Sequence, residues 1–144
     1  MSTSQNVATF DASPARVIEA LTGVLQVRGA LSADLVPGLR TDLLDSFQSQ
    51  REAQLSSRSI AVDAAELARL VPEDVRRFIG DQGGRYVLEL TLEPAPDGGT
   101  RLTVNPVIIA TVEGGEGPLG GRPLPSNGSL ESSIFEALRG RLRG

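Results

Sequence analysis

Arg85-Tyr-Val-Leu-Glu-Leu-Thr-Leu-Glu-Pro94, continued by Ala-Pro-Asp-Gly-Gly-Thr-Arg-Leu-Thr-Val-Asn-Pro-Val-Ile-Ile-Ala-Thr-Val112, is the stretch on which the fold turns. Tyr86, Leu88, Leu90 and Leu92 alternate with Val87, Glu89, Thr91 and Glu93, the two-residue period of a strand with one buried face. Pro94 to Gly99 supplies the turn, where Asp97-Gly98 provides the positive φ that a tight hairpin needs. The return strand carries Leu102, Val104, Ile108, Ala110 and Val112. Pro106 interrupts it and predicts an edge or a bulge, because proline cannot donate to the ladder.

A one-sided sheet needs a cover, and both ends of the chain offer one. Leu130, Ile134, Leu138 and Leu142 form an i, i+4 ladder within Ser129 to Arg143. Ser126 and Asn127 are candidate caps, and Arg139, Arg141 and Arg143 suit the negative end of that helix. Near the start, Val7-Ala-Thr-Phe10 reads as a strand. Ser13-Pro14 then opens a helix whose stripe is Val17, Ile18, Leu21, Val24 and Leu25, with Arg28 and Gly29 at its end.

Between these anchors, Ala30 to Val36 and Leu39 to Phe47 flank Pro37-Gly38 and are read as a β-hairpin, although Leu39, Leu43, Leu44 and Phe47 also fit a helical period. Residues 48–84 are read as a polar and helical insertion. Gln48 to Ser59 is expected to project into solvent, and Asp63-Ala-Ala-Glu66 and Pro72 to Ile79 begin two short helices or one kinked helix. Residues 113–128 are dense in glycine and proline and are read as a loop or linker.

The whole chain of 144 residues is read as one domain, large enough to bury about two-thirds of its unfolded surface. With 40% hydrophobic residues and a net charge of −4, disorder is not expected. There is no Cys and no His, which excludes disulfides, thiol nucleophiles, imidazole catalysis and the usual zinc ligands. All 14 basic residues are Arg, so lysine amine chemistry is excluded too. The acidic balance and the 3% aromatic content argue against nucleic acid as a partner. No apolar run approaches the roughly 20 residues of a membrane helix. Met1 to Gln5 carries no basic flank or apolar segment, so the chain is either cytoplasmic or numbered from after a removed export segment.

Few residues offer chemistry. Asp34, Asp42 and Asp45 are candidate paired carboxylates on the hairpin, but Asp42 and Asp45 would point to opposite faces of a strand, and solvated charges explain them better. Gly114-Gly-Glu-Gly117 and Gly120-Gly121 lack the following lysine and the closely following helix of a phosphate cradle, and a loop is the better reading. Asn127-Gly128-Ser129 matches a glycosylation acceptor, yet a cap with a glycine turn accounts for it. Arg76-Arg77 and the terminal arginines are read as solvated helix-end charges. No catalytic residue, metal ligand or cofactor is assigned.

Topology is what remains. The expected class is α+β, a curved antiparallel sheet with an N-terminal and a C-terminal helix packed on it, in the order β-α-β-β-(αα)-β-β-α. That is a helix-grip-like layout with a groove between helix and sheet. Tyr86, Arg85, Arg101 and Arg122 are the groove residues to watch, Tyr86 as the anchor for a polar head. Its simpler role is a core residue with its hydroxyl at the rim, and the arginines are most simply surface charges. A ligand carrier requires a cavity of about several hundred Å³ there. Phe10, Phe135 and Leu138 filling the space would remove that possibility.

Phe10-Asp-Ala-Ser-Pro-Ala-Arg-Val-Ile-Glu-Ala-Leu21 resembles the start shared by helix-grip proteins. One such family is the START and polyketide-cyclase superfamily. The resemblance implies a cavity for a small apolar ligand, in a carrier or a cyclase. The second family is the bacterial envelope lipoproteins similar to the C subunit of the outer-membrane β-barrel assembly machinery. Ala33-Asp-Leu-Val-Pro-Gly-Leu-Arg-Thr41, the strand pair from Arg85 to Val112, and Leu124-Pro-Ser-Asn-Gly-Ser-Leu-Glu131 resemble that group as well, so it covers more of the chain. It implies a non-enzymatic binding or scaffold domain on the periplasmic side of the outer membrane. Its partners would be other envelope proteins or a second copy, and its only membrane link a lipid anchor absent from this sequence. Contact is expected through Pro72 to Ile79 or through the groove beside the last helix.

Overall fold

The computed structural model describes residues 6–96, 98–111 and 121–143. At its centre β4 (Gly84–Pro94) and β5 (Thr100–Thr111) form the expected hairpin. In register, Tyr86 faces Ile108, Leu90 faces Val104 and Leu92 faces Leu102, so these side chains share one buried face. Each outer edge of the hairpin is lined by two short strands. Along β5 run β1 (Val7–Phe10) and β6 (Gly121–Leu124); along β4 run β2 (Ala53–Ser56) and β3 (Ile60–Val62). The result is a curved, open, antiparallel sheet of six strands.

Pro106 sits where the edge is broken. Thr111 N–H donates to Gly83 O at 2.9 Å and Ala95 N–H to Gly99 O at 3.0 Å, so odd-numbered β5 residues bond to β4. Pro106 therefore turns its nitrogen the other way, into the gap between β1, which pairs with β5 up to Thr103, and β6, whose pairing with β5 begins at Ile108. The missing donor deprives no neighbour. Between β2 and β3 the edge of β4 is patched instead. Three residues, Ser57 to Ser59, stand opposite Val87 and Leu88, a one-residue bulge.

α1 (Pro14–Val27) and α4 (Ser129–Arg143) cover the apolar face side by side and antiparallel. Arg16 Nη2 donates to Leu142 O at 3.0 Å at one end, and Arg28 reaches the Ser133 hydroxyl at the other. Ser13 Oγ caps α1 by accepting from Arg16 N–H. Val17, Ile18, Leu21, Val24 and Leu25 of α1 and Leu130, Ile134, Phe135 and Leu138 of α4 are buried in one core with the sheet. Each such side chain removed from water contributes about 1.5–3 kcal/mol. The expected α+β arrangement of two helices on a curved antiparallel sheet is present.

Three local expectations are corrected. Ala30 to Phe47 is not a hairpin: a 3-10 turn (Ala33–Leu35) leads into α2 (Val36–Gln50). Pro37 lies in the first turn of α2, where its missing N–H costs nothing, and the Leu39–Leu43–Phe47 period prevails over the Pro-Gly pair. α2 buries Val36, Leu43 and Phe47 and is tied to α1 by Arg40 Nε donating to Thr22 Oγ1 at 2.7 Å.

Gln48 to Ser59 does not project into solvent. It contains β2, whose Ala53 and Leu55 enter the core while Gln54 and Ser56 stay outside. The stretch read as a Gly/Pro-rich loop contains β6, and only its residues 113–120 lie outside the described residues. The two expected short helices are α3 (Ala64–Leu70), capped by Asp63, and a 3-10 turn (Glu73–Phe78). The observed order is therefore β-α-α-β-β-α-β-β-β-α, with 3-10 turns before α2 and after α3.

Candidate functional site

The four groove residues do not converge. Tyr86 is on the helix-covered face of β4, buried, opposite Ile60 and Ile108. Arg85 is on the other face of the same strand, opposite Ala61 and Ile109. Arg101 shares that open face but faces Glu93 and Thr9, about 27 Å from Arg85 at the usual strand rise. Arg122, on β6, lays its guanidinium over the Phe78 ring at 4.2 Å, and Arg77 approaches the same ring at 4.9 Å. Burial pushes the Tyr86 hydroxyl above its ordinary pKa; the charge of Arg28 opposes this and that of Glu66 adds to it.

The space between α4 and the sheet is filled by side chains. Phe10 from β1 and Phe135 from α4 meet with ring centroids 6.2 Å apart and planes at 54°, a tilted aromatic pair. Phe10 is 4% exposed, Phe135 5% and Leu138 0%. Beneath them Leu88, Leu92, Leu102 and Val104 are fully covered. The three residues that would close a ligand cavity are thus all in the core.

Around Asn127 the sequence builds a joint. Its side-chain amide donates to Arg69 O at 2.9 Å and Val71 O at 3.3 Å, while its own N–H donates to Leu70 O at 2.9 Å. These are the orphan carbonyls at the end of α3. Asn127 Oδ1 also accepts from Ser129 N–H at 2.9 Å, at the start of α4. Gly128, at φ +93°, makes the turn that lets one side chain serve both helices. Buried Glu131 accepts from the Ser126 hydroxyl at 2.8 Å and completes the start of α4. The tripeptide read as a possible glycosylation acceptor has its amide nitrogen in structural use.

Asp34 lies in the turn before α2, exposed, with its carboxyl held below the usual pKa by the Ser32 hydroxyl. Asp42 and Asp45 are three apart on α2 and exposed, a solvated pair on one helix face. Among the described residues no group of three or more acids could hold a metal ion, and no helix is long and apolar enough to cross a membrane.

Beside the last helix there is a concave surface that the sequence reading left unpopulated. One depression of 360 Å³ is lined by Thr9, Phe10, Asp11, Ala95, Pro96 and Gly99. A second, of 250 Å³, is lined by Thr9, Phe10, Asp11, Arg139, Leu142 and Arg143. They adjoin along the end of β1. Arg139 and Arg143 read in sequence as complements to the helix dipole, and nothing local linked them to Thr9, some 130 positions earlier in the chain. Arg139 also stands 5.8 Å from the centre of the Phe10 ring.

Comparison of the chain with protein-family profiles, with curated proteins and with solved structures finds no match.

Proposed function

We propose that this is a non-enzymatic binding or scaffold domain of envelope-lipoprotein type that works from its outer surface, toward other proteins facing the periplasm. The observation that carries the reading is the filled interior. Phe10, Phe135 and Leu138 occupy the place where a carrier would hold its ligand. The joint at Asn127 supports it too, because the stretch from Leu124 to Glu131 serves to fasten α4 to α3. The alternative, a START-like carrier or cyclase for a small apolar ligand, has the helix-over-sheet layout in its favour but needs room that these side chains take up.

A titration with a fluorescent fatty acid separates the two. The scaffold reading predicts weak, unsaturable binding that is unchanged in Leu138→Ala. Saturable one-to-one binding, lost when Leu138 is enlarged to Phe, would establish the carrier instead.

A further inference from the structure

We infer that the free edge of β1 and the trough beside it bind an extended, acidic peptide segment of a partner protein, added as a further strand to the sheet. The inference rests on the scaffold reading and names the surface and partner chemistry it would use.

Backbone geometry comes first. Asn6 O accepts from Val104 N–H at 2.8 Å, so Asn6, Ala8 and Phe10 direct their backbone groups to β5. Val7 and Thr9 direct theirs outward, and no described strand pairs with that edge. Thr9 is exposed. An unpaired edge of this kind is a template for main-chain hydrogen bonds from an extended segment.

The surroundings of Thr9 supply selectivity. Both depressions include Thr9, so a strand laid along the edge enters them. Their apolar lining comes from Phe10, Ala95, Pro96 and Leu142, and it suits alternate apolar side chains. Arg139 and Arg143 line the second depression only, and Asp11 lines both. Arg139 pairs with Glu136 at 3.7 Å, in an exposed contact that water and salt weaken. In a chain of net charge −4 the end of the trough beside α4 carries these two arginines, which favours a segment carrying Asp or Glu there.

The test is an NMR titration of the ¹⁵N-labelled full chain with a blocked octapeptide alternating valine and glutamate, beside one alternating valine and lysine. The expected result is saturable shifts at Thr9 and Asp11, slowed exchange of the Thr9 amide, and at least tenfold weaker binding of the lysine peptide. Thr9→Pro, which removes an outward N–H, abolishes binding while the remaining spectrum persists. The double variant Arg139→Ala/Arg143→Ala reduces the preference for glutamate at least fivefold. Shifts scattered away from β1, equal binding of both peptides, or full binding by Thr9→Pro would each overturn the inference. So would a dimer in solution whose Thr9 amide is protected without peptide, since a second copy would then be the occupant. The fatty-acid titration reads the interior separately, so a protein that binds neither probe loses this surface and keeps the scaffold reading.

Discussion

Phe10 and Phe135 stand 6.2 Å apart, centroid to centroid, although 125 positions separate them in the chain. One belongs to the first strand and the other to the last helix, so their contact closes the fold across the open edge of the sheet. It also sets what the interior can do. Two phenyl rings and Leu138 occupy the wedge between α4 and the sheet, and Arg139 and Arg143 beside it are exposed.

Truncating either ring should be costly. Phe135→Ala or Phe10→Ala is expected to destabilise the domain by about 3–5 kcal/mol in urea unfolding. The double variant should cost less than the two single effects combined, with a coupling of about 0.5–1.5 kcal/mol from the direct ring contact. Simple additivity would show that the rings do not act as a pair.

Ser57 fills the break between β2 and β3. Its N–H donates to Leu88 O at 2.8 Å, and its hydroxyl oxygen accepts from Leu88 N–H at 2.8 Å. Ser57→Ala leaves a buried amide without an acceptor, and the expected loss is about 1–3 kcal/mol. Amide exchange reads the site directly: Leu88 should exchange far faster in the variant, while Leu92 and Leu102 keep their protection.

Tyr86 is the only tyrosine and there is no tryptophan, so an absorbance titration in the alkaline range reports this one hydroxyl. Burial raises its pKa in the folded state above the ordinary value of 10.0. Below pH 10 both states hold the proton and the contribution to stability is fully present. As pH rises further the unfolded chain loses its proton first, and stability falls until the folded pKa is passed. Tyr86→Phe should remove that part of the alkaline loss; an unchanged pH profile would contradict it.

Asn127→Ala removes two bonds to the end of α3 and the acceptor for Ser129 N–H. A loss of about 1–2 kcal/mol is expected, as for other lost caps. Asn127→Asp keeps the acceptor for Ser129 but places a carboxylate against two carbonyls, so it should melt no higher than Asn127→Ala. A melting temperature equal to that of the unaltered protein in either variant would remove the joint from the account.

The long-range elements were legible because each carried its own complete pattern. Alternation from Tyr86 to Leu92, the Ser13-Pro14 start and the Leu130–Ile134–Leu138 ladder each specify one element without help from elsewhere. α2 is not legible in the sequence, because Pro37-Gly38 satisfies a turn and a first helical turn equally well; only burial against α1 decides. β2, β3 and β6 have three or four residues each, too few for a period of two to stand out. In β6, Pro123 faces Ile109 at a position whose nitrogen turns to the free edge, so the ladder loses nothing. The trough was illegible for another reason. Thr9, Pro96 and Arg143 are joined only by the tertiary fold, and Arg85 and Tyr86 cannot share one groove because, adjacent in a strand, they point to opposite faces.

The filled interior is tested most directly by methyl NMR under xenon pressure, which probes apolar voids whatever the natural ligand. The account predicts that the methyl signals of Ile134, Leu138 and Leu88 show no saturable shift. Saturable shifts confined to those three, marking a void between α4 and the sheet, would contradict it.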